Sequence, residues 1–364
     1  MNQDRLRRIR ALLAGEGLDG VVVNKLENLH YCSGFTGDDT LLFITADRAQ
    51  LITDFRYMEQ AAQQAPLFEI VEQKDGLLQK TAACIREAGC RKVGFEGNAL
   101  MYNDFASLSE LLGDIDFHTA LSLDALRQIK DAEELACIRK AVEISDKAFE
   151  DIVKFIRPGI SEIAVAARLE NVMRELGSER PAFTTIVASG VRGSLPHGTA
   201  TEKLIVSGEF VTMDYGAVYK GYHSDITRTV CVGQADEKQK KIYNMVLKAQ
   251  LMGVEKVQPG VSGKAVDQAV RDYLTAEGFG KYFGHGLGHS LGLEIHEEPR
   301  LSPASKCEQL PVNTLVTVEP GVYLPGWGGV RIEDTVLVTE QGGVPLTRSD
   351  KQLIEIIQNN KAKS

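Results

Sequence analysis

No run of about 20 apolar residues interrupts the sequence, so no segment has the length of a membrane-spanning helix. Basic charge is not in excess. Against 50 Asp and Glu stand 41 Lys and Arg, a net charge of −9, which is the wrong sign for neutralising phosphates and excludes a nucleic-acid partner. The six cysteines (Cys32, Cys84, Cys90, Cys137, Cys231 and Cys307) are scattered and show no C-x-x-C spacing. Reduced, mostly buried thiols are expected, with neither a disulfide framework nor a zinc knuckle. No signal-peptide pattern opens the chain, so the expected location is cytoplasmic, without a membrane partner. No Gly-rich phosphate loop follows a strand-like segment, which leaves a dinucleotide cofactor unsupported. Histidine is scarce, at seven residues, so any clustering of it is informative.

At 364 residues the chain suggests two domains. The one basic cluster, RLRRIR at 5–10, reads as a first helix with Leu6, Ile9, Leu12 and Leu13 as its apolar stripe and Gly17 as its stop. A transit peptide is the alternative, but Gly17 leads straight into the strand-like DGVVVN. Strand-like DGVVVN, TLLFIT, AQLIT, FEIVEQ and RKVGFEG then alternate with helical stretches near 55–63, 76–88 and 101–112. This predicts an α/β domain with a mixed sheet over residues 1–128. A second domain, 129–364, opens on a capping box in which Asp131 is followed three residues later by Glu134. Its first helix ends at Arg157-Pro158-Gly159, and a second runs from about Ser161 to Leu176. From Phe183 onward strands dominate, with helices near 237–256 and 262–277, giving an α+β pattern.

The chemistry gathers in that second half. In VTMDYGAVYKGYHSDITRTV, a tight reversal around Tyr219-Lys220 would set Asp214 opposite Asp225. Carboxylates roughly 4.5–5.5 Å apart across a hairpin repel unless a cation joins them. In VTVEPGVYLPGWGGVRIEDTVLVT, a turn centred on Gly326 would likewise set Glu319 opposite Glu333, again among β-branched residues. Between the hairpins, HGLGHSLGLEIHEE supplies His285, His289 and His296, three of the seven histidines. Four carboxylates and an imidazole are too many donors for one tetrahedral zinc, and suit two hard or borderline ions such as Mn²⁺, Fe²⁺ or Co²⁺. Two such ions acidify a shared water and polarise a carbonyl or phosphoryl oxygen. The residues alone therefore reach a two-metal hydrolase, with peptide and phosphate ester both open.

DYGAVYKGYHSDITRT, HGLGHSLGLEIHE, VEPGVY and GVRIED resemble the "pita-bread" metallopeptidases, and within them the Xaa-Pro branch of prolidases and aminopeptidase P. The resemblance covers essentially the whole chain and implies a creatinase-type N-terminal domain that makes dimer contacts, ahead of a pita-bread catalytic domain. It implies that Asp214 holds one metal and His289 and Glu319 the other, with Asp225 and Glu333 bridging, manganese first and cobalt, iron or zinc as alternatives. Glu319 would also be the general base toward a hydroxide shared by the ions. His197, in SGVRGSLPHG, resembles the family's substrate-pocket histidine. His285 and His296 resemble those that hydrogen-bond the scissile region and the tetrahedral intermediate.

Arg331, two residues before Glu333, would face the same way and orient an acidic ligand or the substrate. Phe183, His197 and His296 are candidates for the wall around a prolyl ring. Arg300, four residues after His296, resembles the carboxylate-binding arginine of the dipeptidase members, with a solvated loop charge as its plainer reading. The expected substrate is thus an Xaa-Pro dipeptide, with aminopeptidase P action on longer peptides as the alternative. The FTGDD loop, with Asp38 and Asp39, is either a reach toward a partner's active site or an exposed turn. Outside this reading stand a metal-free creatinase-like amidinohydrolase, a methionine aminopeptidase and a non-catalytic binding protein on the same fold.

Overall fold

The computed structural model describes residues 3–357. It divides into two compact units, 1–127 and 128–364, beside the expected boundary at 128. Positions 358–364 of the expected second domain lie outside the described residues.

In the first unit, β1 (Gly20–Val23), β2 (Thr40–Thr45), β3 (Ala49–Thr53), β4 (Glu69–Glu72), β5 (Lys92–Glu96) and β6 (Asp116–Leu121) form one sheet in the order β4-β3-β2-β1-β5-β6. The β1/β2 and β2/β3 pairs are antiparallel and the rest parallel, so the sheet is mixed, as expected. Helices α1 (Gln3–Glu16), α2 (Leu26–Ser33), α3 (Met58–Gln64), α4 (Leu77–Glu87) and α5 (Tyr102–Leu112) accompany it. Arg5, Leu6, Ile9 and Leu13 of α1 are buried, while Leu12 is only partly covered. Two elements went unread in the sequence. Helix α2 starts at Lys25 without a side-chain cap, and β6 is an edge strand whose Asp116, His118 and Ala120 face solvent. Asp38 accepts a hydrogen bond from the Tyr57 hydroxyl and Asp39 pairs with Arg56, so the FTGDD acids are exposed but not free.

The second unit opens with α6 (Ala132–Phe155), on the expected Asp131–Glu134 capping box, and α7 (Glu162–Glu175), capped by Ser161. Strands β7 (Ile186–Ser189), β8 (Glu209–Tyr215), β9 (Val218–Tyr219), β10 (Tyr222–His223) and β11 (Ile226–Val232) follow. Then come α8 (Glu237–Lys256), α9 (Gly263–Ala276), β12 (Gly288–Ser290), β13 (Glu297–Leu301), β14 (Leu315–Val318), β15 (Gly321–Leu324), β16 (Gly328–Arg331), β17 (Asp334–Thr339), β18 (Gly342–Pro345) and β19 (Glu355–Ile356). Helices α6 and α7 bury Ile144, Phe149, Ile152, Val165 and Leu169 against Val211, Met213, Tyr215, Ile226 and Val230 of β8 and β11. Helices α8 and α9 do the same with Val246, Val270 and Leu274 against Val316, Val318, Val336 and Val338 of β14 and β17. Each such side chain contributes about 1.5–3 kcal/mol on burial. Because strand residues alternate faces, this packing turns Asp214, between Met213 and Tyr215, away from the helices.

The two acid-bearing hairpins differ in how well they match expectation. Glu319 and Glu333 sit where the Gly326-centred register puts them: Val318 pairs with Asp334 on one side and Gly321 with Arg331 on the other. In the first hairpin the reversal is one residue later. Lys220 and Gly221 both have positive φ, 49° and 79°, the signature of a type I′ turn between paired Tyr219 and Tyr222. Asp214 therefore faces Thr227, not Asp225. A slip of two keeps every side chain on its expected face, so the acids still converge.

Candidate metal centre

Breaks in the ladders carry the site. Asp225 lies between β10 and β11, Glu319 after β14 and Glu333 before β17. At these breaks the backbone donors leave their own hairpin: Glu333 N–H goes to Thr227 O at 3.1 Å and Glu319 N–H to Leu287 O at 2.9 Å. Carboxylate oxygens of Asp214, Asp225 and Glu333 lie within 4.8 Å of one another. His289, on β12, brings Nε2 to 3.6 Å from Asp225 Oδ2 and 3.4 Å from Glu319 Oε1. All five residues expected as ligands thus meet in one place.

Their electrostatics are those of a cation site. Burial, with repulsion from Glu333, Asp214 and Glu319, pushes Asp225 well above the ordinary carboxylate range. Burial and the charges of Glu319 and Asp214 do the same to Glu333. Burial, partly offset by Arg331, pushes Glu319 up to about 8. Burial, with His296 alongside, pushes His289 down to about 3, so its imidazole is neutral. The neutral ring is also oriented: Nδ1 faces Ser290 O at 3.0 Å and, opposite a carbonyl, must carry the proton, which leaves the Nε2 lone pair toward the acids. Asp214 Oδ1 and Glu333 Oε1 are buried without a hydrogen-bond partner among the described residues. Orphaned oxygens beside a neutral imidazole fit divalent cations and little else.

Side chains behind the acids fix their orientation. Thr227, in the cross-strand seat expected for Asp225, donates to Glu333 Oε2 at 2.7 Å. Thr317 Oγ donates to Glu319 Oε1 at 3.1 Å and accepts from His289 N–H at 3.0 Å. Arg331 is buried, and its guanidinium reaches Asp214 Oδ2 at 2.7 Å, the Tyr323 hydroxyl at 2.9 Å, Pro196 O at 3.2 Å and Thr227 Oγ at 3.1 Å. Four of its five N–H donors thus meet protein groups, Asp214 among them, while the residue also lines the cavity above the acids. Tyr323, Thr227 and Thr317 were missed in the sequence. Only Tyr323 had a signal there, as the last residue of VEPGVY.

A cavity of about 990 Å³ opens above these groups, lined also by Phe183, Leu195, Pro196, His197, His285, Ile295, His296, Tyr323 and Arg300. The ring of His296 stands edge-on to His289, centroids 4.5 Å apart. His285 is more committed than expected: Nδ1 bonds Gly286 O at 2.7 Å and Nε2 meets the Tyr323 hydroxyl at 2.9 Å, so a substrate would have to compete with Tyr323 for it. Arg300 is not buried. Its side chain is 48% exposed, with Nε 3.5 Å from Glu298 Oε1, at the mouth of the cavity.

Comparison with known proteins agrees with this geometry. The model of metallopeptidase family M24 matches residues 136–340, and that of the Creatinase/Prolidase N-terminal domain matches 5–129. An Xaa-Pro dipeptidase of Pyrococcus horikoshii is 37% identical, with 96% of this chain and 99% of that protein aligned. The solved structure of an Xaa-Pro dipeptidase from Bacillus anthracis superposes with a TM-score of 0.94 at 45% identity, covering 97% of this chain and 99% of that one. That of an X-Pro aminopeptidase from Thermotoga maritima gives 0.90 at 36% identity, covering 96% and 99%. With its five potential metal ligands on a pita-bread fold behind a creatinase-type domain, the chain belongs to metallopeptidase family M24.

Proposed function

We propose that the protein hydrolyses the bond before proline, chiefly in Xaa-Pro dipeptides. The observation that carries this reading is the single cavity with Asp214, Asp225, His289, Glu319 and Glu333 at its floor and His197, His296, Phe183 and Arg300 around them. Two divalent ions, manganese first, suit those five donors, and when bound they supply Lewis acidity toward a carbonyl and toward water. The peptide's free amine binds beside Asp214, whose carboxylate Arg331 holds in place. Glu319 acts as general base toward the attacking water and returns the proton to the proline nitrogen, which must be protonated to leave. His296, with the His285–Tyr323 pair, stabilises the charge that develops on the carbonyl oxygen. An Xaa-Pro bond offers no N–H to recognise, so ring shape is read by Phe183, His197 and His296. Arg300 takes the terminal carboxylate of a dipeptide.

The half-exposed position of Arg300 favours a second reading, aminopeptidase P action on longer peptides, because chain beyond the proline would have room there. A panel of Xaa-Pro dipeptides, Xaa-Pro-Xaa tripeptides and Met-Xaa peptides, on metal-stripped protein restored with Mn²⁺, Co²⁺, Fe²⁺ or Zn²⁺, separates the two. Higher kcat/KM on tripeptides would replace the dipeptidase reading. We further propose a cytoplasmic homodimer, to be checked by light scattering. No helix among the described residues is long and apolar enough to cross a membrane.

A further inference from the structure

One buried carboxylate outside the potential ligand set holds the segment that carries His197. Glu162, the first residue of α7, is fully buried. Its Oε1 accepts from Ser189 N–H and Ser189 Oγ–H, both at 2.8 Å, and its Oε2 accepts from Thr201 N–H at 3.1 Å and Thr201 Oγ–H at 2.7 Å. Arg192 closes the set by pairing with Oε2 while donating to Thr199 O at 2.8 Å. Residues 189 and 201 are the two ends of a loop whose middle, Leu195-Pro196-His197, lines the cavity. A single side chain therefore ties both ends of that loop to a helix.

The loop needs such an anchor. Val191 and Leu195 are more than half exposed and His197 is exposed, so apolar burial does little to hold this stretch. Its ends are also tied by the Ile163 N–H bond to Thr201 O at 3.0 Å, by a bridge between Ile186 and Thr199 and by Lys203 Nζ donating to Ser189 Oγ at 2.8 Å, and its middle is fixed on the cavity side. Gly193 packs on the β16 backbone so closely that a Cβ on Gly329 would stand 2.1 Å from Gly193 O. Arg331 donates to Pro196 O, joining the loop to the guanidinium that holds Asp214. Glu162 thus sets the loop's position from behind while touching none of the five potential ligands.

We infer that Glu162 is a positioning residue for substrate fit: it holds Pro196 and His197 against the prolyl side of the peptide without itself contacting a potential metal ligand. This rests on reading the cavity as an Xaa-Pro site. Glu162→Gln removes the charge that holds Arg192. It also replaces one carboxylate oxygen by an NH₂ group, which cannot accept from both ends of the loop. On an Xaa-Pro dipeptide, KM should rise about tenfold or more with kcat and Mn²⁺ affinity each changed less than about threefold, at unchanged Mn²⁺ stoichiometry by calorimetric titration. Glu162→Asp, which keeps the charge but is one methylene shorter, should recover part of the loss. Thr201→Val, which removes one donor at one end, should shift KM less in the same direction and serves alone if Glu162→Gln does not fold. Hydrogen exchange over residues 190–200 should be faster in both Glu162→Gln and Thr201→Val. Unchanged KM in these variants, or kcat, KM and Mn²⁺ affinity failing together, would overturn the inference. If the wild type cleaves no Xaa-Pro peptide, the functional reading fails separately. The exchange measurement then still decides whether Glu162 holds the loop, and unchanged exchange refutes it.

Discussion

Asp225 gives the sharpest test of the idea that the acids are arranged for cations and not for stability. Its carboxylate lies within 4.8 Å of oxygens from Asp214 and Glu333, and the Arg331 guanidinium, which offsets part of the repulsion, is already bonded to Asp214. At an effective dielectric of about 20, two charges about 4.8 Å apart repel by about 3.5 kcal/mol. Proton uptake by the crowded acids relieves part of this, so replacing Asp225 by the isosteric Asn should stabilise the metal-free protein by about 1–2 kcal/mol. For a unit of this size that is roughly 2–8 °C in Tm. Divalent metal should reverse the order, because ligand at about a hundred times Kd adds about 2.7 kcal/mol to a protein that binds it and little to one that does not. Differential scanning calorimetry of wild type and Asp225→Asn, each in chelator and in excess Mn²⁺, reads all four states. Crossing of the two pairs is the expected result. A metal-free Asp225→Asn protein less stable than metal-free wild type would refute the reasoning, since it would make Asp225 a structural acid.

Other outcomes follow from the same contacts. Arg331→Lys cannot serve Asp214, Tyr323, Thr227 and Pro196 O at once, so Mn²⁺ affinity by calorimetric titration should fall about 10–100-fold with the fold retained by circular dichroism. Thr227→Val, which removes the hydroxyl donor to Glu333, should weaken Mn²⁺ binding in the same titration by a smaller factor, about 5–10-fold, for a loss of roughly 1–1.5 kcal/mol. Arg300→Ala should raise KM for an Xaa-Pro dipeptide at least about tenfold and leave Xaa-Pro-Xaa tripeptides nearly unchanged. Equal effects on both substrates would remove the carboxylate role.

The five potential ligands were legible in the sequence because each had a local signal: acids inside β-branched strand segments, and histidines crowded among glycines. The Gly326 hairpin was readable in register because its turn is symmetric about that residue. The other hairpin was misread by two because Lys220, a residue with no special turn preference, adopts positive φ beside Gly221. The error cost nothing at the site, since a two-residue slip conserves faces. What it hid was Thr227, whose role depends on standing opposite Asp214. Tyr323 and Thr317 were hidden for a related reason, because their importance lies in which group each hydroxyl meets across strands. Arg300, read as either a carboxylate-binding arginine or a solvated loop charge, lies half exposed on β13, where side chains alternate and Pro299 takes the inward position. Glu162 had no sequence signal beyond following a capping serine, because its partners are spread over residues 189–201.

Hydrolysis of an Xaa-Pro dipeptide by metal-stripped protein, before and after restoration with Mn²⁺, tests metal-dependent cleavage before proline most directly. Release of free proline only after restoration, abolished in Glu319→Gln, is the expected result. No release with Mn²⁺, Co²⁺, Fe²⁺ or Zn²⁺, or release that persists in chelator, would contradict it.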